Sequence, residues 1–326
     1  MIHIVNIIIP VFHSKETLPK TLDSLVAQTK RLFFVTIVSD GDGEDYSDIV
    51  ETYSGRGLHI IALYMPTNRG PGMARQYGLD RTHTEYVMFL DSDDVLYPQA
   101  VEVLTSEIAK NAYDIVSGHF DVQQDGLYSS TLKEPLKITW VIGKIYRVSY
   151  LRANDIRFYE TIRLNEDAAF NFLAFNSTKQ KGEIPIALGA IRENKNSLTR
   201  KDKLAGFMKV GGSDYILGQL LGMARLYETG HYITVPTCAF TLMTVYYHEQ
   251  VLAYYGLSVN EQTEAIYREY YNHPMYKSYV ESEEFWDIIS ENLRGCMKLD
   301  DEYVFFRERF SEWIDRRIMS CENLGS

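Results

Sequence analysis

The chain has 326 residues, enough at roughly 150 per domain for about two domains or one large α/β domain with an appendage, which excludes a small disulfide scaffold. Hydrophobic residues make up 45% of it and charged residues 24%, ordinary globular values that exclude wholesale disorder. Lys and Arg number 33 against 44 Asp and Glu, a net charge of −11 with no long basic tract, so no bulk nucleic-acid binding is expected.

The chain opens on MIHIVNIIIPVF, an apolar run with no basic leader and too short to span a bilayer, which reads as a buried strand. Short apolar runs then alternate with helix-period segments as far as residue 125, the pattern of a parallel sheet covered on both faces. Strands are expected at residues 4–9, 33–39, 59–65, 86–90 and 113–120. Ser14 is placed to cap a helix whose Leu18, Leu22, Leu25 and Val26 form one buried stripe, and further helices are expected at 46–53, 72–81 and 98–111. From Trp140 the rhythm changes to a helix at 144–154, an extended 156–159, a helix at 167–175 and a strand at 184–191.

After residue 200 strand signals become sparse. Residues 284–293, with Phe285, Trp286, Ile288 and Ile289, read as an amphipathic helix. The apolar stretch 232–247 is broken by Pro236 and several threonines and falls short of about 20 residues, so no transmembrane segment is expected. Three cysteines, Cys238, Cys296 and Cys321, are an odd number without C-x-x-C spacing, which favours a reducing compartment over a disulfide framework or zinc cluster. A cytoplasmic location, with peripheral membrane contact as a variant of it, follows.

Four segments carry chemistry. Asp91-Ser92-Asp93-Asp94 ends an apolar strand in three carboxylates, where an open α/β sheet binds ligands. A hard divalent cation would relieve their repulsion and could hold a diphosphate; the plain alternative is a solvated turn. Asp40-Gly41-Asp42-Gly43 follows the second strand and offers acceptors to a base or ribose, or simply makes a turn. Asn68-Arg69-Gly70-Pro71-Gly72-Met73-Ala74-Arg75 joins the third strand to a helix, where backbone N–H groups and Arg75 could face phosphate; position 75 rules out a dinucleotide fingerprint. Glu166-Asp167 stands at the start of a helix, suited either to the helix dipole or to general-base work.

Taken together and in this order, these segments resemble family 2 inverting glycosyltransferases of the GT-A fold. The resemblance rests on Ile8-Ile9-Pro10-Val11-Phe12, Val38-Ser39-Asp40-Gly41, Asn68-Arg69-Gly70 with Gly72-Met73-Ala74-Arg75, and Phe89-Leu90-Asp91-Ser92-Asp93-Asp94. In the second half it rests on Gly143-Lys144-Ile145-Tyr146-Arg147, Ile156-Arg157-Phe158, Glu166-Asp167-Ala168-Ala169-Phe170 and 192–199. It covers residues 1–200 and implies a Rossmann-like mixed sheet flanked by helices there; residues 201–326, from their sparse strand signals, are expected to form a mainly helical region that shapes the acceptor site or makes a homodimer contact.

What the resemblance implies is a nucleotide-diphospho-sugar donor, most often a UDP-sugar, over the carboxyl edge of the sheet. Pro10, Val11, Phe12 and Asp40 would line the base pocket, with Asn68, Gly70 and Arg75 near the nucleotide and Asp91 and Ser92 near the ribose. Asp93, Asp91 and Asn194 would hold Mn²⁺ or Mg²⁺, Asn194 standing where many relatives carry histidine. Asp167 would deprotonate the acceptor, with Glu166 beside it, inverting the anomeric centre. The expected acceptor is a hydroxyl or amine, by family habit on a cell-surface glycan. The alternatives are a sugar-nucleotide binding protein without catalysis, a nucleotidyltransferase, and a transferase acting on a protein or modified nucleobase.

Overall fold

A computed structural model describes residues 4–124, 127–130, 139–192, 203–254, 256–257, 261–296 and 309–319. It divides into two compact units, Met1–Ser197 and Leu198–Ser326.

The first unit runs β1 (Val5–Val11), α1 (Leu18–Val26), β2 (Phe33–Ser39), α2 (Ser47–Gly55), β3 (Ile60–Tyr64), α3 (Pro71–Asp80), β4 (Tyr86–Phe89), β5 (Val95–Leu96), α4 (Ala100–Lys110), β6 (Ile115–Gln124), β7 (Leu127–Ser130), β8 (Lys144–Arg147), α5 (Val148–Ala153), α6 (Glu166–Asn176) and β9 (Lys181–Ile191). All nine strands join one mixed sheet in the order β3-β2-β1-β4-β8-β6-β9-β5, with β7 paired to β6. The first four of that order are parallel. β8 is antiparallel to both its neighbours, β4 and β6, while β9 returns parallel to β6.

Burial explains the order. All seven residues of β1 are buried, as a central strand covered on both faces requires. Leu18, Leu22 and Leu25 of α1 are fully buried in the same core as Ile7, Ile9, Val35 and Ile37. The buried Asn6 of β1 is satisfied at both ends: its side-chain amide donates to Thr82 Oγ1 at 2.8 Å and its Oδ1 accepts from Thr36 Oγ1 at 2.9 Å. In α3, a Cβ on Gly78 would lie 2.8 Å from Ile8 Cγ2, so glycine lets the helix approach the sheet closely.

Two expectations need correction. Residues 144–154 are not one helix: Lys144–Arg147 is strand β8 and only Val148–Ala153 is helical. Ile145 and Tyr146 are both fully buried, so this internal strand lacks the polar alternation that would have marked it. Ser14 does not cap α1, whose N-cap is Thr17 with no side-chain capping bond. The Ser14 hydroxyl instead takes the Phe12 N–H at 3.1 Å and meets Ser92 Oγ at 2.9 Å.

The second unit is helical in its described residues: α7 (Lys203–Glu228), α8 (Val235–Tyr254), α9 (Glu261–Tyr271), α10 (Met275–Val280) and α11 (Glu283–Cys296), then a helical 309–314 that widens into the π-helical turn Asp315–Met319. In α11, Phe285 and Ile289 are fully buried one turn apart. Glu249 of α8 accepts from Tyr271 Oη at 2.6 Å and Trp313 Nε1 at 2.8 Å and pairs with Arg317. The Cys238 thiol is buried, and among the described residues no helix is long and apolar enough to cross a membrane.

Candidate functional site

Because β1 to β4 are parallel, their carboxyl ends share one edge of the sheet. That edge carries Pro10, Val11 and Phe12 from β1, Asp40 from β2, the 65–70 loop from β3 and Asp91, Ser92 and Asp93 from β4. Pro10 and Val11 are buried within β1, whereas Phe12, just past its end, is 47% exposed.

Asp40 is buried, and both its oxygens are used by the neighbouring loop: Oδ1 accepts the Arg69 N–H and Oδ2 the Gly70 N–H, each at 2.8 Å. Burial raises its pKa against the pull of those two bonds. The backbone groups of Arg69 and Gly70 that could have faced phosphate are thus turned to Asp40, while Asn68 is exposed. Gly41 makes the turn with φ +67°, and a Cβ there would sit 2.3 Å from the Thr67 carbonyl carbon.

Asp42 braces the same corner. It accepts from Tyr46 Oη, Ser39 Oγ and the N–H groups of His13 and Glu44, and these bonds outweigh burial to lower its pKa. Among the described residues, His13, Asp42 and Glu44 form the one group of three side chains spaced like metal ligands. Asp42 there already carries four hydrogen bonds, so the group reads as a loop clasp.

Arg75 of α3 is 3% exposed and bridges two acids far apart in sequence. Nη1 donates to Glu166 Oε1 at 2.6 Å and Nη2 to Asp91 Oδ1 at 2.5 Å. Burial works against its charge, but Asp91 and Glu166 outweigh that and raise its pKa. The arginine expected to face phosphate therefore ties the strand-end acids to the first turn of α6. Gly72 makes room, since a Cβ there would lie 2.7 Å from Glu166 Cγ.

Glu166 and Asp167 open α6, entered from Asn165 in the left-handed region at φ +59°. Glu166 is buried, its pKa raised by burial and held back by Arg75. Asp167 is partly exposed and accepts the Ala168 N–H at 2.8 Å. Burial raises its pKa first, and the neighbouring Glu166 charge raises it further. A carboxyl group whose pKa lies above the usual range is suited to accept a proton near neutral pH.

Sequence reasoning quoted two groups of β8 without giving them a role. Lys144 of β8 is fully buried and donates to the Trp140 carbonyl at 2.5 Å; burial pushes its pKa down to about 7, against the opposing charge of Asp167. Tyr146, two residues along, donates to Asn171 Oδ1 at 2.6 Å. The available signal was a lysine set within an otherwise apolar Ile142-Gly143-Lys144-Ile145 run.

For a divalent cation the donors are hard oxygens of suitable chemistry. Asp93 is partly exposed in the turn after β4, and Asp91 keeps Oδ2 beyond its Arg75 bridge. Two carboxylates fit an ion that completes its shell with substrate phosphates. Asn194 lies outside the described residues.

A model of the family described as "Glycosyl transferase family 2" matches residues 6–173. The uncharacterized glycosyltransferase EpsJ of Bacillus subtilis is 29% identical over 220 residues, 61% of this chain and 64% of that protein. The poly(ribitol-phosphate) beta-N-acetylglucosaminyltransferase TarS of Staphylococcus aureus is 29% identical over 184 residues, 52% of this chain and 32% of TarS. This chain thus spans less than two thirds of either relative. Among solved structures, TarS 1-349 in complex with UDP-GlcNAc superposes with a TM-score of 0.69 at 20% identity, over 89% of this chain and 85% of that one. The likeness shows a shared fold, the GT-A arrangement of mixed sheet and flanking helices with a helical C-terminal region.

Proposed function

The chain belongs to glycosyl transferase family 2, and from that premise we propose that it moves a sugar from a nucleotide-diphospho-sugar, specifically a UDP-sugar, to an acceptor hydroxyl with inversion. The donor lies along the shared edge of β1 to β4. Phe12 offers its exposed ring face to the base beside Pro10, Val11 and the Asp40-braced loop, and Asp91 and Ser92 meet the ribose. Asp93, with Asp91, holds the Mn²⁺ or Mg²⁺ ion, which when bound neutralises charge on the diphosphate.

Asp167 then takes the acceptor proton as the acceptor oxygen attacks the anomeric carbon from the face opposite the departing UDP. One base suffices, because inversion needs no covalent sugar intermediate. The acceptor is a hydroxyl of a cell-surface polymer. The activity of the TarS relative on poly(ribitol-phosphate) supports that class. The reaction is placed in the cytoplasm, and the second unit shapes the acceptor site.

The observation that carries this reading is the Arg75 bridge, which joins the acids ending β4 to the turn bearing Asp167. The test is UDP release from a panel of UDP-sugars with Mn²⁺ and ribitol-phosphate oligomers. Asp167→Asn should bind UDP as the wild type does and lose transfer by about 10²-fold or more. Full activity in that variant removes Asp167 from the mechanism. UDP binding with no turnover by any acceptor favours a binding protein.

A further inference from the structure

Arg75 lies in the middle of α3 with its side chain buried, a place where a charge is tolerated only beside compensating charges. It has two. Nη1 donates to Glu166 Oε1 at 2.6 Å and Nη2 to Asp91 Oδ1 at 2.5 Å, so one planar guanidinium spans carboxylates that belong to different elements. Its Nε is buried and has no hydrogen-bond partner, so the two acids orient the group even though one donor is left unsatisfied.

The two ends of this bridge differ. Asp91 follows directly on β4, where the Leu90 N–H donates to the Ile8 carbonyl and the Asp94 N–H to the Asp91 carbonyl, each at 3.1 Å, so the sheet holds that end. Glu166 opens α6, which lies outside the sheet and is entered through Asn165 in the left-handed region.

The same side of α6 is pinned a second time. Phe170, four residues on from Glu166 and therefore on the same helix face, stacks on Phe158 with ring centroids 4.2 Å apart and planes at 7°. Phe158 is in turn fixed to α3: its N–H donates to Gln76 Oε1 at 2.9 Å, and Arg75 Cζ lies 5.7 Å from its ring centroid. Gly72 lets α3 approach this face, since a Cβ there would lie 2.7 Å from Glu166 Cγ and 3.6 Å from Phe158 Cβ. Two points on one face fix a helix against rotation about its axis. Asp167, the next residue after Glu166, projects about 100° further round the helix, so its direction follows from theirs.

We infer that Arg75 is a positioning residue for Asp167: by holding Glu166 to Asp91 it sets the rotation of α6 and so the direction of the Asp167 carboxylate. The inference rests on Asp167 being the base of the reaction proposed above. It assigns Arg75 no contact with donor or acceptor, since both Nη atoms are engaged by the protein's own acids. Lysine is no substitute, because a single nitrogen on a flexible stem cannot fix the spacing of two carboxylates.

The first test is therefore Arg75→Lys, which keeps the charge and loses the span. In transfer from a UDP-sugar to ribitol-phosphate oligomers, kcat should fall by about tenfold to a hundredfold, while UDP affinity in calorimetry stays within about twofold of the wild type. An unchanged kcat overturns the inference. So does a loss of UDP affinity as large as the loss of kcat, which would make Arg75 a donor contact. The double variant tests the route. If Arg75 acts through Glu166, adding Arg75→Lys to Glu166→Gln costs less than about a further twofold, whereas losses that multiply show independent roles and overturn the inference.

A second measurement needs no catalysis. Labelling with ¹⁵N-alanine puts reporters at Ala168 and Ala169 in the first turn of α6 and at the buried Ala100 of α4. In Arg75→Lys the Ala168 amide, which donates to Asp167 Oδ1 at 2.8 Å, should shift and exchange faster with solvent while the Ala100 amide stays in place. An unmoved Ala168 amide overturns the inference. Should Arg75→Lys lose the fold, so that the Ala100 signal collapses as well, Glu166→Gln carries the same two measurements with the same expected and overturning results. If Asp167→Asn retains full transfer, the base assignment falls and the inference with it. An inactive Asp167→Asn beside an unmoved Ala168 amide sinks the inference alone.

Discussion

At the scale of single residues, the site is organised around carboxylates that prefer to keep their protons. Asp167 and Glu166 both have raised pKa values because burial penalises their charge, and the Glu166 charge raises Asp167 further. An acid raised in the folded state binds its proton more tightly there than in the unfolded chain. Its contribution to stability is therefore fully present below the unfolded value and lost as pH rises through the folded one. Asp167→Asn removes that loss while keeping an oxygen for the Ala168 N–H. Its melting temperature should equal the wild type's near pH 4 and exceed it at pH 9; thermal melts at both values check this. Asp167 was legible in the sequence, since paired acids opening a helix are a visible pattern. The partners that set its chemistry were not. Arg75 was read as a phosphate contact because an arginine after a strand–helix junction suits an anion, and only the fold reveals the two acids, Asp91 and Glu166, between which it is buried. Lys144 was legible as part of a matching segment, but its burial was not, because that comes from a strand paired with β4 on one side and β6 on the other.

At the scale of elements, the parallel first half could be read because its strands are short apolar runs separated by amphipathic helices. The second half was harder, since β8 is only four residues long and leads straight into α5, so periodicity merged the two into a helix. The candidate site residues stand at the junctions after the strands. The β2 end and the β3–α3 loop are locked together by Asp40, whose oxygens hold the Arg69 and Gly70 N–H groups, and by Gly41, whose backbone lies against Thr67. A side chain at Gly41 meets two penalties. The left-handed backbone costs about 1–2 kcal/mol for a residue with a Cβ. The 2.3 Å approach to the Thr67 carbonyl carbon forces the loop outward, an overpacking cost of about 1–3 kcal/mol. Gly41→Ala should therefore lower stability in urea titration and, by displacing the Asn68–Gly70 segment, weaken UDP binding about tenfold in calorimetry. Normal UDP affinity in a destabilised variant would show that this corner has no part in nucleotide binding.

At the scale of the molecule, the two units divide the chemistry unequally. Every described candidate residue, from Pro10 to Asp167, belongs to Met1–Ser197, and so do the sheet and its core. The second unit has its own interior, where Tyr246, Phe310 and Trp313 pack ring against ring around the Glu249–Arg317 pair. A unit with a separate core can fold and act alone. If the first unit carries the donor site and the second shapes the acceptor site, cutting between them should separate the two functions. A fragment of residues 1–197 should bind UDP with Mn²⁺ within about twofold of the full chain, because an intact donor site keeps its whole binding free energy. The same fragment should still release UDP slowly from the donor by attack of water, while transfer to an acceptor polymer falls by about 10²-fold or more, because the positioning of the acceptor is lost. Calorimetry with UDP and a coupled UDP-release assay, with and without acceptor, measure the two quantities independently. Should the fragment glycosylate the polymer as fast as the full chain, the acceptor site belongs to the sheet edge, and the helices of the second unit serve some other contact.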